Sequence, residues 1–167
     1  MIYLQVLLMK GNIGMSALED MIRWIPTHIK IQDKFDKTKK NLITFKVPSG
    51  AIYTCHLGQN IGYEKSKLEA RPCLVVSTNR LNYHSGNVIV VPLTSTIKYK
   101  QGSTSELIFD WHYVLKQSTY SFLKNDSCVC CEDIRSINKA RLGKYMGQVN
   151  VTDMKNIRKR LKSALQL

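Results

Sequence analysis

Apolar positions follow two different rhythms along this chain, and the change falls at Pro48-Ser49-Gly50. Upstream, Ser16-Ala17-Leu18-Glu19 carries the Ser-x-x-Glu pattern of a helix start ahead of an apolar stretch, and Pro26 follows. That spacing predicts a helix over about 17–25. Residues 30–46 are rich in Lys with few apolar anchors and read as a basic helix or linker. Downstream, short apolar runs rich in β-branched residues predict strands at 51–57, 72–77, 87–93, 106–109, 127–131 and 135–137. His84-Ser85-Gly86-Asn87 supplies a turn. The chain ends with Met154, Ile157, Leu161, Ala164 and Leu165 on one helical face and Lys155, Arg158, Lys159 and Lys162 on the other, with Asn150 or Thr152 as the cap. These elements predict an α+β, mainly β fold. It is a small barrel or strongly curved antiparallel sheet over about 50–138, with a C-terminal helix near 152–165. Residues 1–48 are a helical, basic N-terminal extension, and residues 49–167 are the folded domain.

Length and charge narrow the picture. The chain has 167 residues, enough for one compact domain with an added segment. Its 25 Lys and Arg against 12 Asp and Glu give a formal net charge of +13, which points to a polyanionic partner. Residues 1–48 hold eight basic and four acidic side chains, a net +4, so the domain carries the remaining +9. No apolar run approaches the ~18 residues of a membrane span. The opening MIYLQVLLM, a strand or part of a helix by its pattern, lacks the basic flank and cleavage site of a signal peptide. Five Cys without framework spacing fit a reducing compartment, and a cytoplasmic location follows.

Candidate chemistry sits at two strand ends. Arg71 stands directly before Pro72, which opens an apolar strand; a rigid strand start fixes its backbone, and its planar fork suits a phosphate. Val91-Pro92-Leu93 runs out into Thr94, Ser95 and Thr96, hydroxyls able to donate to phosphate oxygens. Taken singly, each has an ordinary structural explanation: a surface ion pair of Arg71 with Glu64 or Glu69, and turn hydrogen bonds of the hydroxyls. Tyr53, Tyr63 and Tyr83 are candidates for base stacking or for core packing. Cys128-Val129-Cys130-Cys131 lacks a second ligand pair at metal-site spacing. Only Cys55, His56 and Cys73 stand out as partners, so no metal or other cofactor is expected. His28, His84 and His112 have no supporting motif.

Together, the stretches GQNIGYEKSKLEARPCLVVSTNRLN and SGNVIVVPLTSTI, followed by DSCVCCEDIRSINKARLGKYMGQV, resemble the MazF/PemK toxin family over roughly residues 50–167. The shared features are Gly62-x-Glu64, Arg71-Pro72 before an apolar strand, Asn79 after it, and Pro92-x-Thr94 closing the next strand. The resemblance implies an SH3-like barrel and a homodimer. It also implies metal-independent, sequence-specific cleavage of single-stranded RNA, with neutralisation by an acidic antitoxin. Arg71 and Thr94 would be the catalytic pair, with Glu64 beside them; Tyr63, Glu69, Ser77, Asn79, Ser95 and Thr96 would bind substrate. The loop from Glu64 to Arg71 is about two residues longer than in many relatives, so Glu69 rivals Glu64, and His56 is a further candidate base. Two other functions compete: a non-cleaving topoisomerase poison of the CcdB-like type, and a catalytically silent RNA-binding barrel.

Overall fold

The structure, a computed structural model, describes residues 15–62, 64–65 and 68–167. The MIYLQVLLM segment and Tyr63 lie outside the described residues. Among the described residues, three α-helices and seven strands follow in the order α1 (Met15–Thr44), β1 (Ala51–Cys55), β2 (Arg71–Val75), α2 (Asn79–His84), β3 (Asn87–Thr94), β4 (His112–Leu115), β5 (Ser127–Cys130), β6 (Arg135–Asn138), β7 (Leu142–Gln148) and α3 (Val151–Leu165).

The N-terminal segment departs from the expected short helix. α1 runs for 30 residues, with Ser16 inside it and Pro26 within its body. A proline forfeits one main-chain hydrogen bond and crowds the preceding turn, a cost of about 3 kcal/mol in an unsupported helix. Here tertiary contacts hold α1 on both sides of Pro26. Before it, the Trp24 ring lies against Gly58 and 5.7 Å from the Arg141 guanidinium. After it, Lys34 Nζ donates to the carbonyls of Ala140 and Leu142, each at 3.1 Å. The strongest tie is at the C-terminus. Lys139, 1% exposed, donates to the carbonyls of Leu42, Ile43 and Phe45 at 3.0, 3.3 and 2.7 Å. A cation at the negative end of a helix satisfies carbonyls that have no partner within the helix.

The strands form one antiparallel, curved and open sheet, in the order β4-β5-β3-β2-β1-β7, with β6 on β3. This is the curved-sheet form of the expected fold; the sheet does not close. β3 is the pivot: Asn87–Val90 pair with β6, while Leu93 and Thr94 pair with β5. Val91 and Pro92 fall between these two pairings, so β3 changes partner there. Both faces of the sheet are buried, which explains runs of apolar residues without alternation. Ile52, Leu74, Val91, Leu93 and Val129 pack under Met154 and Ile157 of α3. Ala51, Tyr53, Cys55, Cys73, Val75, Val88 and Val90 face a second cluster closed by Val47 and Leu142.

α3 begins where Asn150 Oδ1 accepts the Asp153 N–H at 2.8 Å, settling which of the two residues caps it. Leu165 is 47% exposed and does not join the packed face. The run 106–109 is not a strand. It contributes one isolated bridge, Tyr99 to Leu107, and Ile108 is half exposed, because no neighbouring strand is there to receive it. The strand that fills this part of the sheet is β4, a few residues later.

Candidate active site

The register of β2 and β3 assembles the site. Cys73 pairs with Pro92, and continuing that antiparallel register by two residues brings Arg71 level with Thr94. Arg71 opens β2 and Thr94 closes β3, so both stand at one rim. Arg71 Nη1 reaches the Leu93 carbonyl at 3.4 Å. Thr94 Oγ1 accepts the Thr96 N–H at 3.2 Å, which leaves the hydroxyl proton available to a ligand.

Arg71, Thr94 and Ser95 line one cleft of about 470 Å³, together with Thr54, Lys124, Asn125 and Ser127. Leu93, Leu123 and Met146 form its apolar wall. Thr54 is fixed by accepting the Lys144 N–H at 2.8 Å, and Gly143 passes so close that a Cβ there would lie 2.5 Å from the Thr54 hydroxyl. Among the described residues the lining holds two cations, Arg71 and Lys124, with hydroxyls and an amide, and no carboxylate, imidazole or thiol. Such a surface attracts an anion and offers it donors from several directions.

The remaining candidates are dispersed. Glu64 lines a second cleft with Lys65, Glu132, Asp133, Ile134 and Arg135, and its carboxylate accepts the Ile61 N–H at 3.3 Å. Glu69 is exposed on the loop before β2. His56 lies beside Lys34 and Arg141; burial and these two cations hold its pKa below the usual histidine value, and it is not among the residues lining the Arg71 cleft. Ser77, expected at the substrate, is buried: its hydroxyl bonds the Asn82 amide oxygen at 2.5 Å and accepts the Ile89 N–H at 3.0 Å. Both lone-pair and proton capacity are therefore committed to the turn between β2 and β3. Asn79 opens α2 and accepts the Ser49 N–H at 2.7 Å, which anchors the chain ahead of β1. Thr96 is exposed just beyond Thr94. Tyr53 is buried edge-on against Tyr145, as packing rather than as a stacking platform. Tyr83 lies near Lys46 Nζ, 6.0 Å from its ring centre.

Sequence reasoning missed Thr54, Lys124, Asn125 and Ser127. Lys124-Asn125-Asp126 carries a polar turn signature, but only the fold brings that loop across to β2. The loop is held by Lys116 Nζ and the Gln117 N–H, which bind the Asp126 carboxylate at 2.9 and 2.8 Å.

The fold is similar to those of solved toxin structures. An endoribonuclease from a mycobacterial species is 26% identical, with a TM-score of 0.55 over 73% of this chain and 93% of that one. A mycobacterial endoribonuclease in complex with its cognate antitoxin is 27% identical, with a TM-score of 0.53 over 72% of this chain and 96% of that one. Endoribonuclease MazF1 of Mycobacterium bovis is 29% identical over 118 residues, 71% of this chain and 91% of that protein. Endoribonuclease MazF4 of Mycobacterium tuberculosis matches to the same extent. Residues 49–165 match the family of PemK-like, MazF-like toxins of type II toxin-antitoxin systems, and this chain belongs to that family. No helix among the described residues is long and apolar enough to cross a membrane.

Proposed function

We propose that this chain is a sequence-specific endoribonuclease toxin that cuts single-stranded RNA without a metal ion at the scissile phosphate. The observation that carries the reading is the meeting of Arg71 and Thr94 in one cleft lined by cations and hydroxyls. RNA brings its own nucleophile in the 2′-hydroxyl, so the protein needs chiefly to position the phosphate and stabilise charge as it develops. Arg71 forks two N–H groups onto the non-bridging oxygens, and the Thr94 hydroxyl donates to the same phosphate. The 2′-oxygen bonds to phosphorus and the bond to the 5′-oxygen breaks. The 2′ proton passes to water and the departing 5′-oxygen takes up a proton, leaving a 2′,3′-cyclic phosphate and a 5′-hydroxyl. A hard divalent cation at this phosphate would want carboxylate oxygens, and the cleft's described lining has none.

The same reading covers the partners. The net charge of +13 suits RNA and an acidic antitoxin. A twofold homodimer would merge two basic rims into one groove for a single strand. Residues 1–48 act as an extension on a catalytic domain of residues 49–167, and the protein works in the cytoplasm.

The test is incubation with a mixed RNA pool in excess chelator, followed by sequencing and end-group analysis. Expected are cuts at a short motif, cyclic phosphate ends, and no cleavage where deoxyribose replaces the ribose at the cut. Arg71→Ala should lower the rate by roughly 10²–10³-fold, as removal of one charge-stabilising donor does. Arg71→Lys should rescue poorly, because a point charge replaces a fork. Binding without cleavage, or full activity in Arg71→Ala, would overturn the proposal.

A further inference from the structure

The Cys-x-Cys-Cys run that lacked partners along the sequence acquires them in the fold. His112 of β4 pairs directly with Cys130 of β5, and Cys128 lies two residues along β5, on the same face of the strand. A ring nitrogen of His112 and the two sulfurs all lie within 4.8 Å of one another, and all three residues are buried. The chain then turns through Cys131–Asp133, and this turn brings the carboxylates of Glu132 and Asp133 within 4.8 Å of the Cys130 sulfur and of each other.

Two features suggest that this cluster is built for a cation. His112 is 6% exposed; its Nε2 is 2.7 Å from Glu132 Oε1, while its Nδ1 is buried with no hydrogen-bond partner. A carboxylate holding one ring nitrogen so that the other faces a metal is the usual outer-shell arrangement of ligating histidines. Asp133 Oδ2 is likewise buried with no hydrogen-bond partner, and the cations near it are Lys65, at 3.6 Å, and Arg135. A buried ring nitrogen left unmatched beside two thiols costs free energy unless something binds it.

We propose that His112, Cys128 and Cys130 form a zinc-binding site, with Asp133, which lies beside Cys130, taking the fourth position when the ion binds and Glu132 orienting the imidazole. Two thiolates, one imidazole and one carboxylate are borderline-soft donors in the number that tetrahedral zinc takes. Two thiolates and a carboxylate around a divalent ion leave one negative charge, which Lys65 offsets. Metal capture drives the thiol protons into solvent. The ion would tie β4 to β5 at Cys128, the residue paired with Thr94. It thereby braces the strand beside the cleft without entering the cleavage chemistry. His112, Cys128 and Cys130 are buried and Asp133 is half-buried, so brief exposure to chelator leaves the site loaded and RNA cleavage unchanged.

The test uses the full chain, purified in reductant without chelator. Elemental analysis should find a single zinc ion per chain, and exchange with cobalt(II) should give thiolate-to-cobalt charge-transfer absorption and the visible bands of a tetrahedral ion. Cys130→Ser and His112→Ala should abolish both signals. Cys55→Ser, which alters a cysteine outside the cluster, should retain them. Glu132→Gln should keep the tetrahedral spectrum but weaken affinity by roughly 10–100-fold. If Cys130→Ser fails to fold, Asp133→Asn and Glu132→Gln decide the matter. A wild-type protein without stoichiometric zinc or a cobalt spectrum would overturn the proposal. So would zinc retained equally in the Cys55 and cluster variants.

Discussion

Replacing Lys139 by Met isolates what holds the long N-terminal helix to the sheet. The ammonium is 1% exposed and donates to three carbonyls at the end of α1, at 3.0, 3.3 and 2.7 Å. Its pKa is held below the usual lysine value by loss of water. Methionine keeps most of the volume, relieves the desolvation of a buried charge, and removes every donor. A hydrogen bond from a charged group contributes about 1.5–3 kcal/mol net. The two shorter bonds alone would therefore suggest about 3–6 kcal/mol. Two corrections lower that figure. Desolvating the ammonium already offsets part of it, and Ile43 and Phe45 are 50% and 43% exposed, so water can reach their carbonyls in the variant. The expected loss is about 2–3 kcal/mol in urea unfolding followed by far-ultraviolet circular dichroism. Amide exchange should speed up most in the last turns of α1. Lys37→Met is the control: its pair with Asp33 lies on side chains 71% and 57% exposed, and its loss should stay below about 0.5 kcal/mol. A Lys139→Met protein within about 0.5 kcal/mol of wild type would show that the buried ammonium does not anchor the helix.

Three further outcomes can be checked. Gly58 has φ +92° and a Cβ there would approach the Trp24 ring to 2.7 Å, so Gly58→Ala should destabilise by about 1–3 kcal/mol; an unchanged melting temperature would count against this account of α1 docking. His56 has a folded pKa below its unfolded value, so the unfolded chain binds more protons and stability falls as pH drops from about 6.5 through the lower folded value. His56→Gln should flatten that loss between neutral and mildly acid pH, and parallel slopes in the two proteins would refute it. Deleting residues 1–47 should leave cleavage chemistry intact but lower stability, since it removes buried Val47 and the carbonyls that Lys139 binds. A truncated protein that cleaves much faster would show that the extension blocks the cleft.

The linear chain determined the parts whose signal is local. β2, β3 and β5 were legible because β-branched and cysteine runs buried on both faces leave no polar positions. α3 was legible from its cap and its 3.6-residue stripe. Arg71 and Thr94 were recognisable because Arg-Pro and Pro-x-Thr sit where apolar strands meet polar loops. Tertiary structure decided what depends on partners distant in sequence. α1 continues through Pro26 because Gly58, Arg141, Ala140 and Lys139 hold it, contacts from more than 30 residues away. β4 and β7 mix buried and exposed positions without strict alternation, and become strands only because β5 and β1 offer edges to pair with. Glu64 resembled a catalytic neighbour of Arg71 in the sequence, yet it lines the cleft of Glu132 and Asp133, because a loop's direction is set by what it packs on. Ser77 looked like a substrate contact, and Asn82 and Ile89 claimed its hydroxyl. His112 carried no motif at all. Strand register, a property of the whole sheet, is what set it across from Cys130.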